Sequence, residues 1–190
     1  MKYLAVLLSG ALLAGAADAA PLDLATLSCE KYEAEVLPAA ASNPVADAIN
    51  TVMWLFGYSV AQSGGHVMSP DGLAPYGFAL DNECKSNPTE TVLAALSIVK
   101  PDTARPMDLT AVPCSAFAVR HRGLRQTDPE SATTIMMWLL GFSVAKSGSH
   151  VFDAKLVNPF ETALLEECAR RPDAGLLDAL QEVHLSKPRP

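Results

Sequence analysis

Residues 54–68 (WLFGYSVAQSGGHVM) and 138–152 (WLLGFSVAKSGSHVF) are identical at ten of fifteen positions. The offset of 84 residues persists beyond them. Gly57 falls on Gly141, His66 on His150, Cys84 on Cys168, Pro88 on Pro172 and Leu96 on Leu180. Cys29 falls on Cys114 at an offset of 85, so one residue was gained or lost between cysteine and tryptophan. Self-similarity at a fixed period marks a repeated structural unit. The chain reads as two copies of one small domain, over residues 20–99 and 109–190. The intervening residues 100–108 (KPDTARPMD), with two prolines and four charges, read as a linker.

Both copies are expected to be all-α. Residues 45–62 and 130–146 lack internal proline, and Ser63-Gly64-Gly65 and Ser147-Gly148-Ser149 follow as stop signals. Their centres, VMWLFGYSVA and MMWLLGFSVA, are apolar on nearly every face, and such a helix must be buried or covered by a partner. Gly57 and Gly141 each cost roughly 1 kcal/mol in helix propensity relative to Ala. Close packing of another backbone is the expected compensation. A loop follows (66–72; 150–155), then a helix leading into the second cysteine. Asn87-Pro88-Thr89 and Arg171-Pro172-Asp173 are read as opening a last helix, with proline near the first-turn position that tolerates it. Its apolar face carries Val92, Leu93, Leu96 and Val99 in one copy and Leu176, Leu177, Leu180 and Val183 in the other. Strand signals are absent: there are no alternating β-branched runs and no Asn-Gly hairpins.

The first nineteen residues have the form of a signal peptide. Lys2 precedes fifteen uncharged residues, and Ala17-Asp18-Ala19 supplies a small-x-small cleavage pattern. Spanning a membrane takes about 20 apolar residues, so no membrane association is expected after cleavage. Export to an oxidising compartment makes disulfides the natural state of the four cysteines. Four cysteines allow three pairings. The repeat ranks Cys29–Cys84 with Cys114–Cys168 first, one bridge per copy. Each bridge would close a loop of about 55 residues, worth roughly 4 kcal/mol in the chain-entropy model. No zinc-type spacing occurs, so no metal is expected. No catalytic motif is present either: there is no GxSxG and no phosphate-cradling glycine loop. The chain is therefore not read as an enzyme, and no cofactor is expected.

Charge excludes generic nucleic-acid binding, which needs a basic footprint. Without residues 1–19 the chain holds 13 basic and 20 acidic residues, a net charge of −7. Residues 21–100 carry −6 and residues 101–190 carry −1. With all carboxylates and the four histidines protonated, the net charge becomes +17. Self-repulsion at such charge destabilises compact states. His66 and His150, the histidines matched between copies, are candidate pH sensors, since imidazole titrates near neutrality. A loop-capping hydrogen bond is the plainer role. Arg120-His121-Arg122-Gly123-Leu124-Arg125 has no counterpart in the first copy. It reads as a solvated loop or, alternatively, as a patch for an anionic partner.

These residues resemble the HdeA/HdeB family of small periplasmic acid-stress chaperones. Ser28-Cys29-Glu30 opens a domain, a tryptophan helix and a glycine-rich loop follow, and Glu83-Cys84-Lys85-Ser86-Asn87-Pro88 precedes a terminal amphipathic helix. The second copy matches through Cys114, Trp138-Leu139-Leu140-Gly141-Phe142 and Glu167-Cys168-Ala169-Arg170-Arg171-Pro172. The resemblance implies a four-to-five-helix fold with one disulfide per domain. It also implies a dimer at neutral pH that loosens or dissociates in acid and binds unfolding periplasmic proteins without ATP. The departure is the doubling, which suggests that the two copies pack as an intramolecular pseudo-dimer. The client-binding or inter-repeat apolar surface would comprise Met53, Trp54, Leu55, Phe56 and Tyr58 with Met137, Trp138, Leu139, Leu140 and Phe142. Two alternatives remain open: an inhibitor or immunity-type module with one folded partner, and a purely structural subunit.

Overall fold

The computed structural model describes residues 21–37, 46–101 and 107–183. The signal-peptide reading and most of the expected linker lie outside the described residues. Along the chain come β1 (Leu22–Asp23), α1 (Cys29–Lys31, continued by a π-helical turn, Tyr32–Val36), α2 (Ala46–Gln62), β2 (Val67–Met68), α3 (Leu73–Ser86) and α4 (Val92–Ile98). The order then recurs with β3 (Met107–Asp108), α5 (Cys114–Thr127), α6 (Pro129–Lys146), β4 (Val151–Phe152), α7 (Val157–Arg170) and α8 (Leu176–Glu182). Among the described residues the fold is all-α apart from these four two-residue strands. Disulfides join Cys29 to Cys84 and Cys114 to Cys168, so each links the first helix of its half to the helix before the last.

The centre of the molecule is the crossing of α2 and α6. Every residue from 53 to 61, and every residue from 136 to 145, is buried. Helices apolar on all faces need cover on all faces, and here each supplies cover for the other. The glycines set how close they come. A Cβ on Gly57 would lie 2.9 Å from the carbonyl carbon of Trp138, and nearer still to its oxygen. A Cβ on Gly141 would lie 2.9 Å from the carbonyl carbon of Trp54. The contact is reciprocal: each glycine receives the backbone of the other helix's tryptophan.

The strands repeat that reciprocity. β1 of the first half pairs antiparallel with β4 of the second, Leu22 opposite Phe152 and Asp23 opposite Val151. β3 of the second half pairs with β2 of the first, Val67 opposite Asp108 and Met68 opposite Met107. The Leu24 amide donates to the His150 carbonyl at 3.0 Å, and the Leu109 amide donates to the His66 carbonyl at 3.1 Å. Each half thus contributes its leading strand to the other half's loop. Two-residue strands are too short to show alternation, which is why no strand signal preceded them.

Two local expectations are corrected. Pro88 and Pro172 do not stand in the first turn of the last helices, which begin at Val92 and Leu176. The prolines lie in the preceding turns instead, where their carbonyls accept from the Glu30 and Ser115 amides at 2.9 Å. Thr91 caps α4 by accepting from the Ala94 amide. Residues 120–125 are not a loop: they belong to α5, and His121 is 2 % exposed.

The crossing generates a direct test. Gly57→Ala or Gly141→Ala must displace backbone, and overpacking of this kind is expected to cost about 2–3 kcal/mol despite better helix propensity. Gly123→Ala, also helical but with nothing near its would-be Cβ, is expected to stabilise by up to about 1 kcal/mol. Urea unfolding of the three variants checks both signs.

Candidate functional site

The ten apolar residues singled out from the sequence all lie in the crossing, none more than 5 % exposed. Trp54 stacks on Tyr58, four residues on, with ring centroids 5.4 Å apart, and Trp138 stacks in the same way on Phe142. Phe152, from the strand that pairs with β1, meets Trp54 edge-on at 5.1 Å. Phe56 stacks on Tyr76 of α3 at 4.9 Å. Burial pushes the Tyr76 phenol upward, with the hydrogen bond to Ser59 opposing it. Both indole Nε1 atoms are buried without a hydrogen-bond partner among the described residues. A buried unpaired donor costs about 1–3 kcal/mol, so opening the crossing would return that hydration energy twice.

The matched histidines share a backbone role and differ in their side chains. Both carbonyls receive the cross-half leucine amide described above. The His150 Nδ1 lies 2.5 Å from the Tyr58 hydroxyl, a contact between halves. His66 has no such partner, because Phe142 stands where Tyr58 stands in the other half. Its Nε2 instead lies 3.7 Å from the Asp108 carboxylate, both side chains being about half exposed. Hydrogen bonds from Thr110 hold the Asp108 carboxyl below its ordinary value, with nearby His66 adding to the effect.

Two carboxylates respond to their surroundings in opposite directions. In the second half, α5 places His121 and Arg125 one helical turn apart, both facing Glu161 of α7. The His121 Nε2 is 2.9 Å from Glu161 Oε1, and Arg125 donates to both carboxylate oxygens. Burial alone would raise Glu161, but the hydrogen bonds from Arg125 and His121 outweigh it and hold the carboxyl below its ordinary value. In the first half, burial pushes the Glu33 carboxyl up, and the neighbouring Asp81 pushes it further against the weaker pull of Lys85. Sequence reasoning missed the Glu161 cluster. Its trace was the i, i+4, i+8 placement of Phe117, His121 and Arg125, which puts an aromatic, an imidazole and a cation on one face.

Among the described residues no group of three or more His, Cys, Asp or Glu is arranged to hold a metal ion. No helix among them is long and apolar enough to cross a membrane. All four cysteines are engaged in the two disulfides.

The two carboxylates give opposite pH signatures. A carboxyl held low in the fold contributes stability above its unfolded value, and that contribution is lost as pH falls through the folded value. Glu161→Gln is therefore expected to destabilise by about 1–3 kcal/mol at pH 7, with the loss shrinking as the pH falls into the acid range. A carboxyl held high opposes folding while ionised, so Glu33→Gln is expected to raise stability at pH 7, with the gain fading in acid. Urea midpoints at several pH values measure both trends.

A model of the HdeA/HdeB family matches residues 91–178, from the start of α4 into α8. No curated protein and no solved structure shows a match. Over that stretch, which holds α6 and the Cys114–Cys168 disulfide, the match supports the HdeA/HdeB family.

Proposed function

We propose that the protein is an ATP-independent acid-stress chaperone of the periplasm, built from two HdeA-like units in tandem that pack as an intramolecular pseudo-dimer. The observation that carries this reading is the crossing itself. Residues 53–61 and 136–145 are buried on all faces, so loosening α2 from α6 uncovers one continuous apolar surface. Methionine and aromatic side chains make adaptable contacts, suited to unfolded clients of varied sequence. The family match over residues 91–178 supports the same reading.

Acid supplies the release. Protonation removes the Glu161 bonds that tie α5 to α7, while the net charge moves from −7 toward +17. The covalent tether keeps the halves at roughly millimolar effective concentration, so activation proceeds by loosening within one chain rather than by dissociation. Tyr58 and His150 bridge the halves directly, and in the tautomer where Nδ1 accepts from the Tyr58 hydroxyl, a proton on Nδ1 ends that bond. His150 is therefore the stronger pH-sensing candidate, and His66 the weaker.

A second reading, a module with one specific folded partner, draws on apolar side chains exposed in the folded chain, Phe78 at 70 % and Val119 at 67 %. One comparison separates the two. A periplasmic extract is held at about pH 2–3 with and without the protein, and light scattering is recorded beside near-UV circular dichroism. The chaperone reading expects suppressed scattering together with loss of the near-UV signal. A rigid protein that leaves aggregation unchanged refutes it. A single stoichiometric partner captured at pH 7 supports the module.

A further inference from the structure

Asp128-Pro129, at the start of α6, is the only Asp–Pro bond in the chain. At the matching place, an offset of 85, the first copy carries Asn43-Pro44, an amide where the second has a carboxyl. An Asp–Pro bond is the weakest peptide link in acid because it carries its own reagents. The aspartate carboxylate can reach its own carbonyl carbon through a five-membered ring. Proline supplies a tertiary amide nitrogen, with no N–H, that takes up a proton more readily than an ordinary peptide nitrogen.

Both residues are exposed, so solvent protons reach them freely, and bonding rather than burial restrains them. Asp128 caps α6, its Oδ1 accepting from the Ser131 amide at 3.1 Å. Hydrogen bonds from the Ser131 hydroxyl and amide hold the carboxyl below its ordinary value. The Asp128 carbonyl oxygen accepts from the Ala132 amide at 3.2 Å. The nucleophile and the electrophile of the hydrolysis are thus tied to two different amides in the first turn of α6. Around the cap, Arg120 and His121 of α5 and Glu130 of α6 share a cavity wall with Asp128, to which α2 and the β2–β3 pair contribute uncharged side chains. Arg125 of α5 is engaged by Glu161. Protection therefore lasts while the first turn of α6 is formed, and ends when it opens.

We propose that Asp128–Pro129 is a site of self-hydrolysis in acid, held unreactive by the cap of α6 and released when that first turn opens. A carboxylate oxygen of Asp128 forms a bond to the Asp128 carbonyl carbon while the bond from that carbon to the Pro129 nitrogen breaks. The departing nitrogen takes a proton from solvent. Water then opens the cyclic anhydride, so one water is consumed and nothing is oxidised or reduced. Cys114 and Cys168 lie on opposite sides of the broken bond, and their disulfide keeps the nicked chain in one piece. A nick there cuts the covalent link between α5 and α6 and limits the time the chain can spend open in acid. The proposal does not rest on the acid-chaperone reading: it concerns the first turn of α6 wherever clients bind, and either can fail alone.

The test holds the full mature chain at the lowest pH where its near-UV circular dichroism is still that of the neutral protein, with and without concentrated urea. Samples are taken over time for mass spectrometry. In urea the unreduced mass is expected to rise by one water. Reduction is expected to release two pieces, one ending at Asp128 and one starting at Pro129. Without urea the same nick is expected to form about five- to tenfold more slowly, the factor that an intact helix cap withholds. Asp128→Asn keeps a capping side chain but lacks the carboxylate, and is expected to lose the nick in both conditions. The proposal is overturned if the chain in acidic urea stays whole at this bond, if the folded chain is nicked as fast as the unfolded one, or if Asp128→Asn is cut as fast as the wild-type chain. Pieces that separate without reduction would refute the role given to the disulfide.

Discussion

Two glycines, 84 residues apart, allow the backbones of α2 and α6 to touch, and the remainder of the architecture follows from that contact. With side chains at Gly57 and Gly141 the helices would separate, and residues meant for full burial would face solvent. With the glycines in place, each tryptophan lies beside the other helix's glycine, and both indoles are completely buried. Once the helices cross this closely, the loop after each one arrives next to the other half's leading strand. The two small sheets form there. The disulfides and last helices then close each half separately, so the molecule combines two stapled ends with one shared centre.

The shared centre was more legible than its attachments. All-round apolarity in residues 53–61 and 136–145 required burial, and mid-helix glycine at matched positions pointed to a close backbone. Ser63-Gly64-Gly65 and Ser147-Gly148-Ser149 marked the ends, and Gly64 and Gly148 do adopt φ near +75°. What escaped were features defined by distant partners. β1 pairs with β4 across some 130 residues of chain, and no local pattern encodes a two-residue pairing. His121 looked solvated because three arginines surround it in sequence. Its burial depends on Glu161, forty residues later. Likewise, Pro88 resembled a helix opener until Thr91 was seen to supply the cap.

Matched frameworks with unmatched charges produce halves that differ in acid. The first half crowds Glu33 against Asp81, a repulsion that protonation relieves. The second half ties α5 to α7 through Glu161, Arg125 and His121, and protonation undoes that tie. On the proposed reading, acid would therefore weaken the α5–α7 tie of the second half while relieving a repulsion in the first. Because α6 belongs to the second half, such weakening would bear on the shared centre directly. Two buried indole N–H groups without partners among the described residues would add to the gain on opening.

The chain contains only two tryptophans, and both lie in the crossing, so acrylamide quenching of tryptophan fluorescence from pH 7 to pH 2 reports on it without labels. The account requires strong protection at neutral pH and a cooperative rise in quenching in acid, within the range where scattering by unfolding clients is suppressed. Indoles that remain shielded at pH 2, while clients are still held soluble, would contradict it: the client surface would then lie elsewhere than between α2 and α6.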